Sequence, residues 1–264
     1  MEQIPLFQVD SFTDQPYKGN PAAVCLLTSA RSDDWMRLLA AEMNLSETAF
    51  VFQQGEDFNL RWFTPAVEID LCGHATLASA HILWETGRVP VDKQIRFHTR
   101  SGLLTITKQK DWIEMDFPAR RIRPVTENEG VIDAIGAVPE EVYQSGDNLL
   151  FVYESEKTIK NIKPDFTALK KHEYHGVIVT SPADSAKYDF ASRFFAPAIG
   201  INEDPVTGSS HCVLAPFWGE RLRKSIMTAQ QVSARGGELK LRVSAERVYI
   251  SGQAVTVFSA SIKG

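Results

Sequence analysis

Asp70-Leu71-Cys72-Gly73-His74-Ala75-Thr76 is the stretch on which the reading of this chain turns, because it has a counterpart. The extended segment Arg61-Trp62-Phe63-Thr64-Pro65-Ala66-Val67-Glu68-Ile69 leads into it, and the apolar run Leu77-Ala78-Ser79-Ala80-His81-Ile82-Leu83-Trp84 follows. Later the chain reads Arg193-Phe194-Phe195-Ala196-Pro197-Ala198-Ile199-Gly200-Ile201, then Asp204-Pro205-Val206-Thr207-Gly208-Ser209-Ser210-His211-Cys212, and a second apolar run comes after it. Arg61 and Arg193, Phe63 and Phe195, Pro65 and Pro197, and Ala66 and Ala198 each stand 132 positions apart, half of the 264-residue length. This implies two copies of one design, each a strand, a glycine turn and a buried helix. A glycine at a strand-to-helix junction lets the backbone approach a ligand, and the exposed N–H groups of the new helix favour an anion. Two such ends facing one cleft can hold a small carboxylate from both sides. The plainer alternative is two ordinary helix starts whose likeness records duplication alone; the matching pair of turns favours a site.

Length and composition suit that picture. A chain of 264 residues accommodates two lobes of about 130 residues each, and a hydrophobic fraction of 44% is enough for two cores. We place the lobes at residues 1–119 and 120–264, divided in the segment Pro118–Pro124, with the final strand returning to complete the first lobe. The net charge of −5, without any Lys/Arg-rich run, argues against nucleic acid as a partner. No apolar stretch approaches the ~20 residues of a membrane span. The segment Met1-Glu2-Gln3-Ile4-Pro5 lacks the basic and apolar regions of a signal peptide. Cys25, Cys72 and Cys212 are an odd set without CxxC spacing, which predicts reduced thiols and a cytoplasmic protein.

Taken in order, Ile4–Phe12 reads as a strand, residues 13–21 as a loop dense in turn formers, and Ala22–Leu27 as a buried strand. Ser32 and Asp33 are N-cap candidates for a helix on which Trp35, Met36, Leu39, Ala40 and Met43 recur at helical spacing, ended by Asn44. A buried strand follows over residues 48–52, with Glu47 at its mouth, where a carboxylate loses water unless something compensates it; from these residues alone a solvated strand end is the plainer reading. Phe58–Phe63 leads into the first glycine turn, and the helix after it runs to about Glu85. Ile95–His98, Leu103–Lys108 and Trp112–Phe117 form a meander. In the second half the pattern predicts helices over Val131–Ile135 and Ile162–His172 and strands over Leu149–Tyr153, Gly176–Thr180 and Phe190–Phe195. It adds an apolar helix over Val213–Leu222 and a strand-rich tail from Gln231 to Ile262.

His74 directly follows Gly73 at a helix start, where the dipole disfavours its protonated form, so it is expected as a neutral hydrogen-bonding group. Capping its own helix would explain it equally well. No histidine spacing suggests a metal site, and none is expected. Asp204 precedes Pro205, where the chain is extended, just upstream of the second turn. A carboxylate there can pair with His74 across the cleft, or simply cap a loop. Cys72 and Thr207 occupy corresponding places, each before a glycine. Two thiols would suit a two-base racemase; the second is missing, and Cys212 comes five residues too late.

Ser46-Glu47-Thr48-Ala49-Phe50, Cys72-Gly73-His74-Ala75-Thr76, Asp204-Pro205-Val206-Thr207-Gly208-Ser209 and Gly19-Asn20-Pro21-Ala22 together resemble the motifs of the PhzF (phenazine biosynthesis-like) family, in order along the whole chain. The resemblance implies the diaminopimelate epimerase-like fold: α+β, with two pseudo-symmetric lobes, each a barrel-like, mostly antiparallel sheet around a central helix, and an active site between them. The best-understood member isomerises trans-2,3-dihydro-3-hydroxyanthranilate without a cofactor. Its proton-carrying glutamate matches Glu47, its helping histidine and aspartate match His74 and Asp204, and its carboxylate-binding turn matches Gly208-Ser209. Asn20, Ser46 and Gly73 fall in the same motifs and are expected to bind substrate. A homodimer is also implied.

With that resemblance the position of Glu47 acquires a reason. A carboxyl that takes and returns a proton needs a pKa raised towards neutrality, and an apolar cleft with no nearby cation would raise it. Cys72 is expected to be a vestige or a packing residue. The expected function is therefore a cofactor-independent isomerase moving a proton by general acid/base catalysis on a small carboxylate, a cyclic amino acid being one candidate. The alternatives are a racemase or epimerase using Cys72 with a non-thiol second base, or a non-catalytic protein binding a small carboxylate.

Overall fold

The segment following the first glycine turn has apolar or small side chains on every side, a pattern that only a surrounded helix satisfies. In the computed structural model, which describes residues 2–126 and 128–264, it is the helix Gly73–Glu85, with ten buried residues from His74 to Trp84. Met1, where the sequence reading of the N-terminus begins, and Glu127 lie outside the described residues. The helix packs against the strands Gln3–Ser11, Asn20–Leu27, Glu47–Gln54 and Ala254–Lys263. Ala75, Ala78, Ser79 and Ala80 present little side chain, which lets those strands come close.

The chain divides into two compact units, one made of residues 1–116 with 249–264 and the other of residues 117–248. In the first, Gln3–Ser11 runs antiparallel to both Ala254–Lys263 and Asn20–Leu27. Asn20–Leu27 is parallel to Glu47–Gln54, which is antiparallel to Asp57–Phe63. Asp57–Phe63 then pairs antiparallel with the short strand Glu68–Ile69 and parallel with Ile95–Thr99, which continues into the meander. Asn20–Leu27 reads as a continuous apolar run because it is covered on both faces. The other cover is the helix Asp33–Met43: its Met36 and Ala40 pack with Leu6, Ala23, Cys25, Phe50 and Phe63. Ser32 caps that helix and Asn44 ends it at φ 51°.

The second unit repeats this order of pairings. Glu141–Ser145 is antiparallel to Asn148–Val152, Asn148–Val152 parallel to Gly176–Pro182, and Gly176–Pro182 antiparallel to Phe190–Ala196. Phe190–Ala196 pairs antiparallel with the short Ile201–Asp204 and parallel with Ile226–Gln231, which is antiparallel to Gly237–Ser244. The helix Gly208–Leu222 packs on the last two strands. A second core, built on Ile135, Phe151, Ile159, Val179 and Phe195, lies under the short helices of this unit. The sheet-dominated α+β architecture expected from the sequence is thus present.

The predicted polar helix over Ile162–His172 is not there. Two short helices, Glu156–Asn161 and Phe166–Leu169, replace it, capped by Ser155 and Asp165. Pro164 between them restricts Lys163 to an extended conformation and cannot continue a helix. The strand Glu141–Ser145, absent from the sequence reading, is half-buried and polar, so its alternation is faint.

Candidate active site

Glu47 opens its strand beside the first glycine turn. The turn's residues arrive on the N-terminal end of the helix Gly73–Glu85, where Cys72 is the N-cap and supplies no side-chain cap. The result is a cluster in the first unit: Glu47 Oε2 lies 3.1 Å from His74 Nε2, and Cys72 Sγ lies 3.5 Å from His74 Nδ1 and 3.9 Å from Nε2. All three are buried, at 7% exposure for Glu47, 5% for His74 and 7% for Cys72. Ser11 Oγ donates to the His74 carbonyl at 2.8 Å and fixes its backbone. The Asn20 amide faces Nδ1 at 3.1 Å. In this orientation its N–H donates to Nδ1, which leaves the imidazole proton on Nε2, towards Glu47. A second proton, on Nδ1, requires the amide to turn its oxygen inward. Asn20 is itself held by Gly19, whose φ of 62° and 2.1 Å separation of a would-be Cβ from the Ser11 carbonyl admit only glycine.

Burial works to raise the Glu47 carboxyl, but the charge and hydrogen bond of His74, with hydrogen bonds from Ser46 and Cys72, outweigh it and hold Glu47 below its ordinary range. Burial would lower His74; Cys72 and Glu47 beside it reverse that and hold it well above its ordinary value. Cys72 is pushed up to about 11, by burial first and then by the Glu47 charge. It is therefore a thiol at neutral pH, and Glu47 is the anion that keeps the proton on His74. The two titrate as a pair. This corrects the sequence-based expectation of a raised Glu47 and a neutral His74: the cation assumed absent is His74 itself, with the Asn20 amide turned so that its oxygen accepts from Nδ1–H. Cys72, expected as a vestige or a packing residue, lies with its sulfur against the pair.

In the second unit the corresponding turn is tied differently. Thr207 Oγ donates to Asp204 Oδ2 at 2.5 Å. The Gln231 amide bridges the turn, donating to the Asp204 carbonyl at 2.7 Å and accepting from the Thr207 N–H at 2.9 Å. Gly208 and Ser209 begin the helix, with no side-chain cap from Thr207. Gln231 and the Thr207 hydroxyl were not singled out from sequence as site residues; a glutamine ending a strand carries no local signal of its partners. The candidates thus fall into two groups, Asn20, Ser46, Glu47, Gly73 and His74 in the first unit and Asp204, Gly208 and Ser209 in the second.

One turn further, the fully buried His211 donates Nδ1–H to the Thr207 carbonyl at 2.8 Å and stacks on Phe190. Burial lowers its pKa from 6.5 to about 4. The folded state therefore resists the proton: stability is full above 6.5 and falls as pH drops from 6.5 towards 4. His211→Gln retains an N–H for Thr207 and does not titrate. It is expected to remove about 2 kcal/mol of the stability loss between about pH 6.5 and 5, read from urea midpoints at the two pH values. An acid loss undiminished in the variant would show that His211 is not its source.

A hydroxyproline epimerase of Agrobacterium vitis, solved with bound trans-4-hydroxy-L-proline, shares the fold with a TM-score of 0.66 over 98% of this chain and 92% of its own, at 9% identity. That likeness concerns the fold alone. A PhzF-family phenazine biosynthesis protein of Enterococcus faecalis superposes with a TM-score of 0.95 over the whole of both chains at 42% identity. An uncharacterized isomerase of Halalkalibacterium halodurans is 49% identical over 265 residues, 99% of either chain. Fold and relatives together define an isomerase. A model of the phenazine biosynthesis-like proteins matches residues 9–260, and the chain belongs to that PhzC-PhzF family.

Proposed function

We propose that this isomerase moves a proton on a small carboxylate substrate without a cofactor, with Glu47 as the acid/base. The observation that carries the reading is the buried Glu47–His74 pair, 3.1 Å apart. Glu47 is held ionised, so it can take a proton; His74, a hydrogen-bond distance away, stabilises the ionised form and offers a proton to the growing charge on the substrate. Asn20 and Ser46 orient the pair. The Gly208-Ser209 turn is assigned the substrate's carboxylate, and Asp204 a part in placing and protonating the substrate, by likeness to the first turn and to the family's motifs. A small cyclic amino acid suits this set, and we propose a cytoplasmic homodimer as the working form.

A second reading, racemisation with Cys72 as one base, draws on the contact of its sulfur with His74. Against it stand the thiol's pKa of about 11 and the threonine at the matching place in the second unit. The test is solvent exchange. Proline, 4-hydroxyproline and cyclic unsaturated amino acids are incubated with the protein in D₂O, and deuterium at carbon is followed by mass spectrometry. Exchange that survives Cys72→Ser supports Glu47 as the base. Acids that bind without exchanging in the native protein would make it a binding protein instead.

A further inference from the structure

We propose that Glu47, Cys72 and His74 also form a three-ligand site for a thiophilic divalent cation of the zinc type, and that the bound ion silences the acid/base pair. The ligand atoms of the three residues, one carboxylate oxygen, one sulfur and one imidazole nitrogen, all lie within 4.8 Å of one another. Glu47 Oε2 is buried and turned into the cluster, 3.1 Å from His74 Nε2. A buried carboxylate, thiol and imidazole converging on one point are a mixed O, S and N donor set that a zinc-type cation can bridge.

The spacings suit zinc. Bond lengths of about 2.3 Å to sulfur and about 2.0–2.2 Å to nitrogen and oxygen in a tetrahedron put neighbouring ligands roughly 3.3–3.6 Å apart. The cluster has 3.1 Å between Glu47 Oε2 and His74 Nε2, and 3.9 Å between Cys72 Sγ and Nε2. Small rotations of the side chains open room for the ion. Cys72 gives up its thiol proton to solvent and binds as thiolate, and His74, protonated on both nitrogens beside Glu47, gives up its Nε2 proton to solvent and keeps the one on Nδ1. That Nδ1–H needs an acceptor, which the Asn20 amide, 3.1 Å away, provides with its oxygen turned inward. Such a donor-to-amide contact is the usual support of a metal-bound imidazole. The thiolate and carboxylate bring two negative charges that balance the divalent ion, and the start of the helix Gly73–Glu85 favours the thiolate at its N-cap. Three protein ligands leave a fourth position for water, and the 5–7% exposure of each residue is the way in.

The site stands on geometry; only its consequence, loss of turnover, rests on the reading of Glu47 as the acid/base. Co²⁺ is the probe, added to the native protein without oxygen. One equivalent should bring visible bands of tetrahedral cobalt and a near-ultraviolet thiolate-to-cobalt charge-transfer band, both erased by Zn²⁺. Cys72→Ser should lose the charge-transfer band, and Glu47→Gln should bind cobalt at least ~10-fold more weakly, since even outer-shell changes cost ~10–100-fold. Absence of the charge-transfer band in the native protein overturns the proposal. So does its persistence in Cys72→Ser, which would move it to Cys25 or Cys212. Neither result touches the isomerase reading, because the spectrum needs no turnover. Conversely, cobalt held by these three residues while deuterium exchange continues would keep the metal site and remove Glu47 from the chemistry.

Discussion

Glu47→Gln is expected to abolish deuterium exchange into any carboxylate that the native protein exchanges, while the same carboxylate still binds within a few-fold of its native affinity. Glutamine keeps the shape and one acceptor oxygen, so the hydrogen bond to His74 Nε2 survives in outline. What it loses is the proton. General acid/base groups contribute typically ~10²–10⁴-fold, and more where no other carrier stands in. Among the described residues the other groups at hydrogen-bond distance from His74 are poor substitutes: Cys72 is a thiol with a pKa of about 11, and Asn20 does not titrate in water. His74→Ala should act differently, lowering binding and exchange together, because it removes the cation that keeps Glu47 ionised and leaves a buried carboxylate that burial protonates. The measurements are exchange by mass spectrometry and binding by calorimetry on the variants side by side. If Cys72→Ser abolishes exchange while Glu47→Gln retains it, the thiol is the base and the racemase reading takes over.

What the sequence exposed was spacing and apolar pattern. The 132-residue offset of Arg61-Trp62-Phe63 and Arg193-Phe194-Phe195 reported the duplication, and the structure carries it through to the order of strand pairings. The two central helices were legible because a helix apolar all round must be enclosed. The pairing of Asn20–Leu27 with Glu47–Gln54 was not, since parallel partners lie far apart in sequence and leave no local trace. Electrostatics was the least legible level. Glu47 and His74 are 27 positions apart, and a reading that finds Phe50 beside Glu47 in sequence cannot find the imidazole beside it in space. The inferred direction of the Glu47 shift was therefore reversed by one missing neighbour. The proposed metal-ligand set escaped for the same reason: local spacing rules see Cys72 and His74 at the helix start, but the third donor comes from the strand Glu47–Gln54.

The offset itself changes inside the turn. Arg61 and Arg193 differ by 132, whereas Gly73 and Gly208 differ by 135. The three extra residues fall around the 3₁₀ turn Pro197–Ile199 and Gly200, which has a φ of 93°. Downstream of that insertion the duplication resumes: Glu68 and Glu203 also differ by 135 and close the same brace in both units. Arg61 forks onto Glu68 at 2.7 and 2.6 Å, and Arg193 onto Glu203 at 2.7 and 3.0 Å. Each guanidinium also lies over a phenylalanine, at 5.2 Å from the Phe63 centroid and 4.7 Å from that of Phe195. The brace joins the strand entering the turn to the short strand leaving it, so in each unit it sets the approach to the glycine and the site residues beyond.

Removing one arm of the second brace should therefore cost far more than a surface ion pair. Arg193 donates to Glu203 twice and, through Nη1, to the carbonyls of Ile159 and Ile162 at 2.8 and 2.9 Å. Its side chain is 11% exposed and that of Glu203 is 21% exposed. Arg193→Met keeps an apolar stem over Phe195 but strands a largely buried carboxylate and two carbonyls. Breaking a buried pair from one side costs about 3–5 kcal/mol, against about 0–1 kcal/mol for exposed pairs. We expect a loss in the upper of these two ranges, read as a shift of the urea midpoint. Arg193→Met combined with Glu203→Gln should recover part of it, because the stranded charge is gone while the two carbonyls remain unsatisfied. A single-variant loss below about 1 kcal/mol would mean that solvent reaches the fork and that the brace does not hold the turn.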